Sequence, residues 1–438
     1  MMNWEKLLSK DRIHSKVEPN NLDVRSEFNK DYDRIVFCSA FRRLGRKTQV
    51  HPLSNNDHIH TRLTHSIEVG SVGRSLGENI GQFLESENEL PNDVSPQEIA
   101  AIVQSACLAH DIGNPPFGHA GEYAIRHWFK ENSSKLSLEK KCERNDLEIF
   151  EGNAQGFRVV TSIENNYGAG GLRLTCATLG TLIKYPWFSD HALAESKGKF
   201  NFFQTEKSIA EEITKQLGLT NSEGVQFFRH PLSYLMEAAD DICYKILDIE
   251  DALELNMLKF EDVSSIFNNL AGIENEIYSD LGYQFSSRRR ITTIRSKAIE
   301  NLITKTTEIF KKFYREIMSG NFDGDLISRI DGVEAKGIAA AKKITTENIF
   351  LNRRKIELEI GSYSTLDTIL SAFIDAVNEV KKGQVSFKSK RVMDLMGVNK
   401  ITSDMTHHLC YLRITDMVSG MTDSFATHVA NQLSGRAI

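Results

Sequence analysis

All eight prolines of this 438-residue chain fall at or before Pro231, so residues 232–438 contain none. Proline breaks a helix interior by removing an N–H donor and clashing with the preceding turn, and its absence over such a stretch leaves helices free to run. The same stretch is dense in Glu, Lys, Leu and Ala, which favour helix. Strand-like alternation is sparse. Its clearest example is KTQVHPL (47–53), short enough for one arm of a hairpin. The expected fold class is therefore all-α, with at most a small β-hairpin.

Polar stretches at 131–146, 319–325 and 381–390 read as surface loops, and no internal repeat is visible. A loose boundary near residue 260 separates a motif-rich first part (1–260) from a motif-poor helical one (261–438). With 53 basic against 59 acidic residues and a net charge of -6, the composition argues against a nucleic-acid coat or a membrane-surface protein. A small anionic substrate would need a local basic pocket. The six cysteines (Cys38, Cys107, Cys142, Cys176, Cys243, Cys410) form no CxxC pair, which argues against zinc ribbons and disulfide frameworks. The first residues, MMNWEKLLSKDRI, carry charges where a signal peptide needs an apolar stretch, and no run of 18 apolar residues occurs. A soluble, cytoplasmic protein without membrane partners is expected.

The most informative segment is SPQEIAAIVQSACLAHDIGNPPFGHAGE (95–122). Ser95 with Glu98 makes a capping box and Pro96 occupies the first helical position, so a helix should start there. Ile99, Val103 and Ala106 form a stripe leading to His110, and Gly113 followed by Pro115 and Pro116 stops the helix just past Asp111. Burying an ionised Asp is costly without a partner, and a metal ion satisfies both an imidazole and a carboxylate. Taken alone, the dipeptide is more often a hydrogen-bonded pair at a helix end.

Two further segments alter that balance. His65 shares helical spacing with Val69, Val72, Leu76 and Ile80, which turns it toward an apolar face. Alone it would be an ordinary core histidine. Asp240, Tyr244 and Asp248 recur every four residues and line one helix face. The bland alternative, a solvated acidic face, is weakened by flanking Ala238, Ala239, Ile242 and Ile246. Two imidazoles and two carboxylates would form a mixed shell suited to Mn, Fe, Co, Mg or Zn, with positions left for water or substrate oxygens.

With these residues in hand, the order H…HD…D on helices resembles the HD-domain metal-dependent phosphohydrolases. The words TQVHPL, TRLTHSIEV, AHDIGNPPFGHAGE, FEGNAQGFR, KYPW, MEAADDICYKILDIEDA and RITDMVSGMTD resemble the bacterial dGTP triphosphohydrolase family over nearly the whole chain. That resemblance implies an HD-type helical core in 1–260, with 261–438 completing a nucleotide pocket and oligomer contacts. It implies hydrolysis of deoxynucleoside triphosphates at the α-phosphorus, with metal ligands His65, His110, Asp111 and Asp240. His119 and Glu122 would match the family's proton-transfer dyad, although His119 is also at home as a plain residue of a Gly-rich loop. Tyr244 and Asp248 would meet the deoxyribose, and Gln49 its 3′ hydroxyl; Tyr244 also fits as a core aromatic. Arg62 and Lys184 are candidate phosphate contacts, Asn153 a neutral donor beside them, and Lys207 a weaker candidate.

The clusters Arg288–Arg289–Arg290 and Arg353–Arg354–Lys355 read as solvated helix faces without catalytic role. The resemblance also implies ring-like homo-oligomers, commonly hexamers, some responding to a nucleotide effector. Two other readings stand beside it. One is a nucleotide phosphatase or cyclic-nucleotide phosphodiesterase of the same superfamily. The other is a non-catalytic regulator binding single-stranded DNA.

Overall fold

The computed structural model describes residues 1–13, 23–49, 59–164, 171–221, 227–273, 287–397 and 400–436, the side chains of 287, 288 and 354 excepted. Among these residues the structure is helical and holds no strand, only isolated bridges such as that between Thr48 and Thr61. The part of KTQVHPL beyond Gln49 lies outside the described residues. None of the described helices is long and apolar enough to cross a membrane.

The helices that build the site are α1 (Glu27–Phe37), α2 (Arg62–Ser86), α3 (Pro96–Ala109), α4 (His119–Glu131), α5 (Gly152–Arg158), α6 (Pro231–Glu254), α7 (Arg353–Lys382), α8 (His407–Ser419) and α9 (Asp423–Leu433). Helix α3 begins as its sequence requires. The Ser95 hydroxyl accepts from Glu98 N, Glu98 reaches back to Ser95 N at 2.9 Å, and Pro96 stands at the first helical position. Helix α2 opens on a second reciprocal cap, between Thr61 and Thr64. For α6 the cap is His230: its Nδ1 accepts from Leu232 N and its Nε2 donates to the Leu7 carbonyl. Burial pulls the His230 pKa down to about 4, so the imidazole is neutral and its tautomer is set by these two partners.

Helices α2 and α3 pack so tightly because α2 carries glycines on the facing stripe. A Cβ at Gly77 would stand 2.8 Å from Ala100 Cα, and one at Gly81 2.6 Å from Pro96 Cα. Backbone-to-backbone approach of this kind anchors the first turn of α2, with His65, beside the end of α3, with His110. Val69, Val72, Leu76 and Ile80 of α2 and Ile99, Val103 and Ala106 of α3 are buried in the larger of two hydrophobic cores, which runs from Trp4 to Ile349. The second core joins Ile125 and Phe129 of α4 to Phe373 of α7 and Tyr411 of α8. A cavity draws its walls from both: Met236 belongs to the first core, and Phe117 packs against the second.

In an exposed helix, Gly→Ala stabilises by up to about 1 kcal/mol through propensity. At Gly77 the sign should reverse, because the new methyl meets backbone that cannot rotate away. Gly77→Ala is expected to destabilise by about 1–3 kcal/mol, read as a fall in the urea midpoint at unchanged slope. An unchanged or raised midpoint would show that the α2–α3 contact is looser than drawn.

Candidate active site

His110 sits at the C-cap of α3, and its Nδ1 lies 2.5 Å from the Cys107 carbonyl. A carbonyl can only accept, so Nδ1 carries a proton, and Nε2 is the nitrogen left to face two carboxylates: Asp240 Oδ1 at 3.5 Å and Asp111 Oδ1 at 3.7 Å. His65, from the first turn of α2, brings its Nε2 to 3.0 Å from the same Asp240 oxygen, and the two imidazole rings lie 5.5 Å apart. One donor atom each from His65, His110 and Asp111 fall within 4.8 Å of one another.

The electrostatics of this cluster are those of a cation site. Burial lowers the His110 pKa, but Asp111 and Asp240 outweigh it and raise it to about 9. Burial likewise pushes Asp240 up, and His110 with His65 holds it well below the ordinary carboxylate range. Asp111 is lowered against its burial, chiefly by Arg62, whose Nη1 donates to Asp111 Oδ2 at 2.9 Å. The donor set fits a divalent ion, since bonds of about 2.0–2.2 Å place neighbouring ligand atoms roughly 3–4 Å apart. The Nδ1–H to carbonyl bond of His110 is the outer support that such a ligand needs.

A cavity of about 460 Å³ opens on this cluster, lined by His110, Asp111 and Asp240 and by Thr48, Gln49, Arg62, Asn153, Lys184, Tyr244, His119 and Glu122 among others. His119 is the first residue of α4, its side chain 74 % exposed, while Glu122 one turn on is 3 % exposed. His119 Nδ1 lies 2.9 Å from Glu122 Oε2, and Glu122 Oε1 accepts from Gly152 N at 2.7 Å. Burial raises the Glu122 pKa, yet the His119 hydrogen bond, Lys199 and Arg126 bring it down to about 2. The carboxylate must therefore accept, so Nδ1 of His119 donates and Nε2 is left at the cavity.

The cavity is also where cations gather. Lys184 pairs with Glu237 at 3.2 Å, and that carboxylate raises its pKa against burial. Lys199 binds Glu151 at 2.6 Å and lies 3.8 Å from Glu122. Asn153 lines the cavity, but its Nδ2 is taken by Glu151 Oε1 at 2.9 Å. Gln49 offers a buried Oε1 that has no hydrogen-bond partner among the described residues.

Tyr244 reaches the cavity and approaches Phe350, with centroids 6.4 Å apart. Asp248, one turn further, is buried behind it rather than on the lining; its Oδ2 is unpartnered among the described residues, and burial raises its pKa far above the usual range. Lys207 stands apart. It opens a different helix, 60 % exposed, opposite Glu211, and does not line the cavity.

Several lining residues were not legible in the sequence. Lys355 is the clear correction: the sequence placed it on a solvated face, whereas its side chain is 13 % exposed, with Nζ 3.8 Å above the Phe350 ring. Its neighbour Arg353 does project into solvent. Burial lowers the Lys355 pKa, opposed by Glu359 and Asp248. Phe350, Leu358 and Glu359 join it on the lining, as do Lys199 and Glu151 on another side. For Glu151 a signal existed, its place inside FEGNAQGFR; for Lys199 and Lys355 only the tertiary fold supplies one.

Comparison with known proteins supplies a family and relatives. The HD domain family matches residues 62–160, the segment that carries His65, His110, Asp111, His119 and Glu122. A deoxyguanosinetriphosphate triphosphohydrolase-like protein of Pseudomonas aeruginosa is 47% identical, covering 100% of this chain and 99% of its own. A protein of the same description from Synechocystis is 38% identical over 99% of both chains. A deoxyguanosinetriphosphate triphosphohydrolase of Yersinia pseudotuberculosis is 29% identical, over 80% of this chain and 77% of its own.

Removing a carboxylate that faces both imidazoles should abolish metal retention. Asp240→Ala is expected to elute without stoichiometric divalent metal after loading and gel filtration, whereas Lys207→Ala should keep it. Full metal content in the Asp240 variant would refute the four-residue cluster.

Proposed function

Since the chain belongs to the deoxyguanosinetriphosphate triphosphohydrolase-like family and carries its HD domain, we propose that it hydrolyses deoxynucleoside triphosphates to deoxynucleoside and inorganic triphosphate. The observation that carries this reading is one cavity joining the His–Asp cluster, the His119–Glu122 pair and the cations Arg62, Lys184 and Lys199. A triphosphate bears three to four negative charges, and in a protein of net charge -6 such a ligand needs a local cationic patch.

His65, His110, Asp111 and Asp240 would hold a divalent ion, whose contribution when bound is positive charge at the α-phosphate and a more acidic attacking water. The chain's own groups supply the rest. Arg62, Lys184 and Lys199 orient the phosphates and screen their charge. Water adds to the α-phosphorus and the bond to the 5′ oxygen breaks, which leaves triphosphate and a deoxynucleoside. An alkoxide leaves poorly, so a proton must reach the 5′ oxygen; His119 in its imidazolium form would deliver it from Nε2 and revert to the neutral ring protonated on Nδ1. Glu122 keeps the opposite nitrogen protonated and the ring aligned.

Tyr244 would close against the sugar where a ribose 2′ hydroxyl would stand, with Gln49 Oε1 as an unfilled acceptor for a sugar hydroxyl. Phe350, Lys355, Leu358 and Glu359 supply the far wall, which supports the reading that residues 261–438 complete the nucleotide pocket.

The test is product analysis with Mn, Mg or Co against the four dNTPs and the matching NTPs, resolved by ion exchange. Triphosphate in equal amount to deoxynucleoside is expected, with ribonucleotides hydrolysed poorly. Orthophosphate as the sole phosphorus product would favour a phosphatase, a monophosphate with pyrophosphate would place the cleavage between the α- and β-phosphates, and either would overturn the proposal.

A further inference from the structure

The stretch RITDMVSGMTD, at the end of α8 and the start of α9, contributes nothing to the cavity lining, yet its last residue grips two segments that do. Asp423 is 2 % exposed. Its Oδ1 accepts from Phe117 N at 2.9 Å; its Oδ2 accepts from Thr48 N at 3.0 Å and from the Thr48 hydroxyl. All three partners are donors, so both oxygens must act as acceptors, a demand that a carboxylate meets and an amide does not.

Lys47 reinforces the knot. Buried at 2 % exposure, its ammonium donates to the Asn114 carbonyl at 2.6 Å and to the Ser419 carbonyl at the end of α8. Its own carbonyl accepts from Arg62 N at 3.0 Å. Residues 47–48, the turn 114–118 and the α8–α9 corner are thus tied at one point.

The turn so held is a strained one. Phe117 has φ 66°, a left-handed conformation that a bulky residue adopts only under constraint, and Gly118 follows at φ 60°. A Cβ at Gly118 would lie 2.4 Å from Arg62 Nη2. His119 comes next and begins α4, so the direction of its imidazole follows from the conformation of these two residues.

We propose that Asp423 is a positioning residue: by holding Phe117 N and Thr48 it sets His119 and Gln49 in register across the cavity. The proposal rests on the functional reading above for what the two residues do, but the tether itself does not. Loss of the carboxylate frees the Phe117 turn to relax, and a misplacement of about 1 Å at an acid–base group costs about 100-fold in rate.

The test compares wild type, Asp423→Asn, His119→Ala and the double variant, each metal-loaded, for dNTP hydrolysis and for amide exchange of the 114–122 peptide. Asp423→Asn is expected to keep wild-type metal content, to exchange at Phe117 about ten-fold faster, and to lose about 10- to 100-fold in kcat. The double variant should be no slower than His119→Ala, because two residues acting through one group are not additive. Thr48→Val serves as a milder variant that keeps the carboxylate and the chain length; it should raise KM several-fold with kcat nearly kept.

Wild-type exchange and wild-type kcat in Asp423→Asn, or losses that multiply in the double variant, would overturn the positioning role. If Asp423→Asn does not fold, wild-type KM in Thr48→Val overturns it. A wild-type protein inert toward every dNTP would instead overturn the functional reading, and the exchange measurement would still decide the tether.

Discussion

Two carboxylates and two imidazoles converge at the wall of the cavity, and the arrangement holds only if positive charge sits among them. Asp240 Oδ1 faces both histidines, and Asp111 completes the group. His110 cannot turn its protonated nitrogen inward, because Cys107 claims it. The surplus of acceptors is what raises His110 to about 9, and a divalent ion meets the same demand more completely than a proton. The helix packing follows from it: a glycine stripe lets α2 approach α3 so that His65 reaches His110, and α6 brings Asp240 to both.

The His119–Glu122 pair depends on a different part of the chain. His119 and Glu122 begin a helix whose apolar face belongs to the second core, with α7 and α8, so their placement beside the His–Asp cluster is a matter of how the two cores dock. Gly152 donates its N–H to Glu122, and a Cβ there would stand 2.7 Å from that carboxylate, which shows how closely α5 closes on the pair. Asp423 from the C-terminal part of the chain and Lys47 from the N-terminal part tie the same junction.

How much of this the sequence carried depends on how local each signal is. The start of α3 was legible because Ser95, Pro96 and Glu98 act within one turn, and its end because Gly113 and two prolines follow. The faces holding His65 and Asp240 were legible from four-residue periodicity. The all-α character came from the distribution of prolines. Lys355 was misread because a charged triplet at a helix start looks solvated from its own neighbours, and only the docking of α7 beside Tyr244 and Phe350 buries it. Lys199 lies in a short glycine-flanked segment whose partner Glu151 is 48 residues away in sequence. Lys207 was the weaker phosphate candidate of the sequence, and the structure leaves it outside the cavity. Asp423 lay within a quoted motif, yet its partners are 306 and 375 residues distant, beyond any pattern of spacing.

The central claim is that one divalent ion binds through both imidazoles. Loading the protein with one equivalent of Mn(II) and recording pulsed electron paramagnetic resonance tests it directly. Nitrogen couplings from two directly bound imidazoles are expected, reduced to one in His65→Ala. A spectrum with oxygen ligands alone would contradict the account.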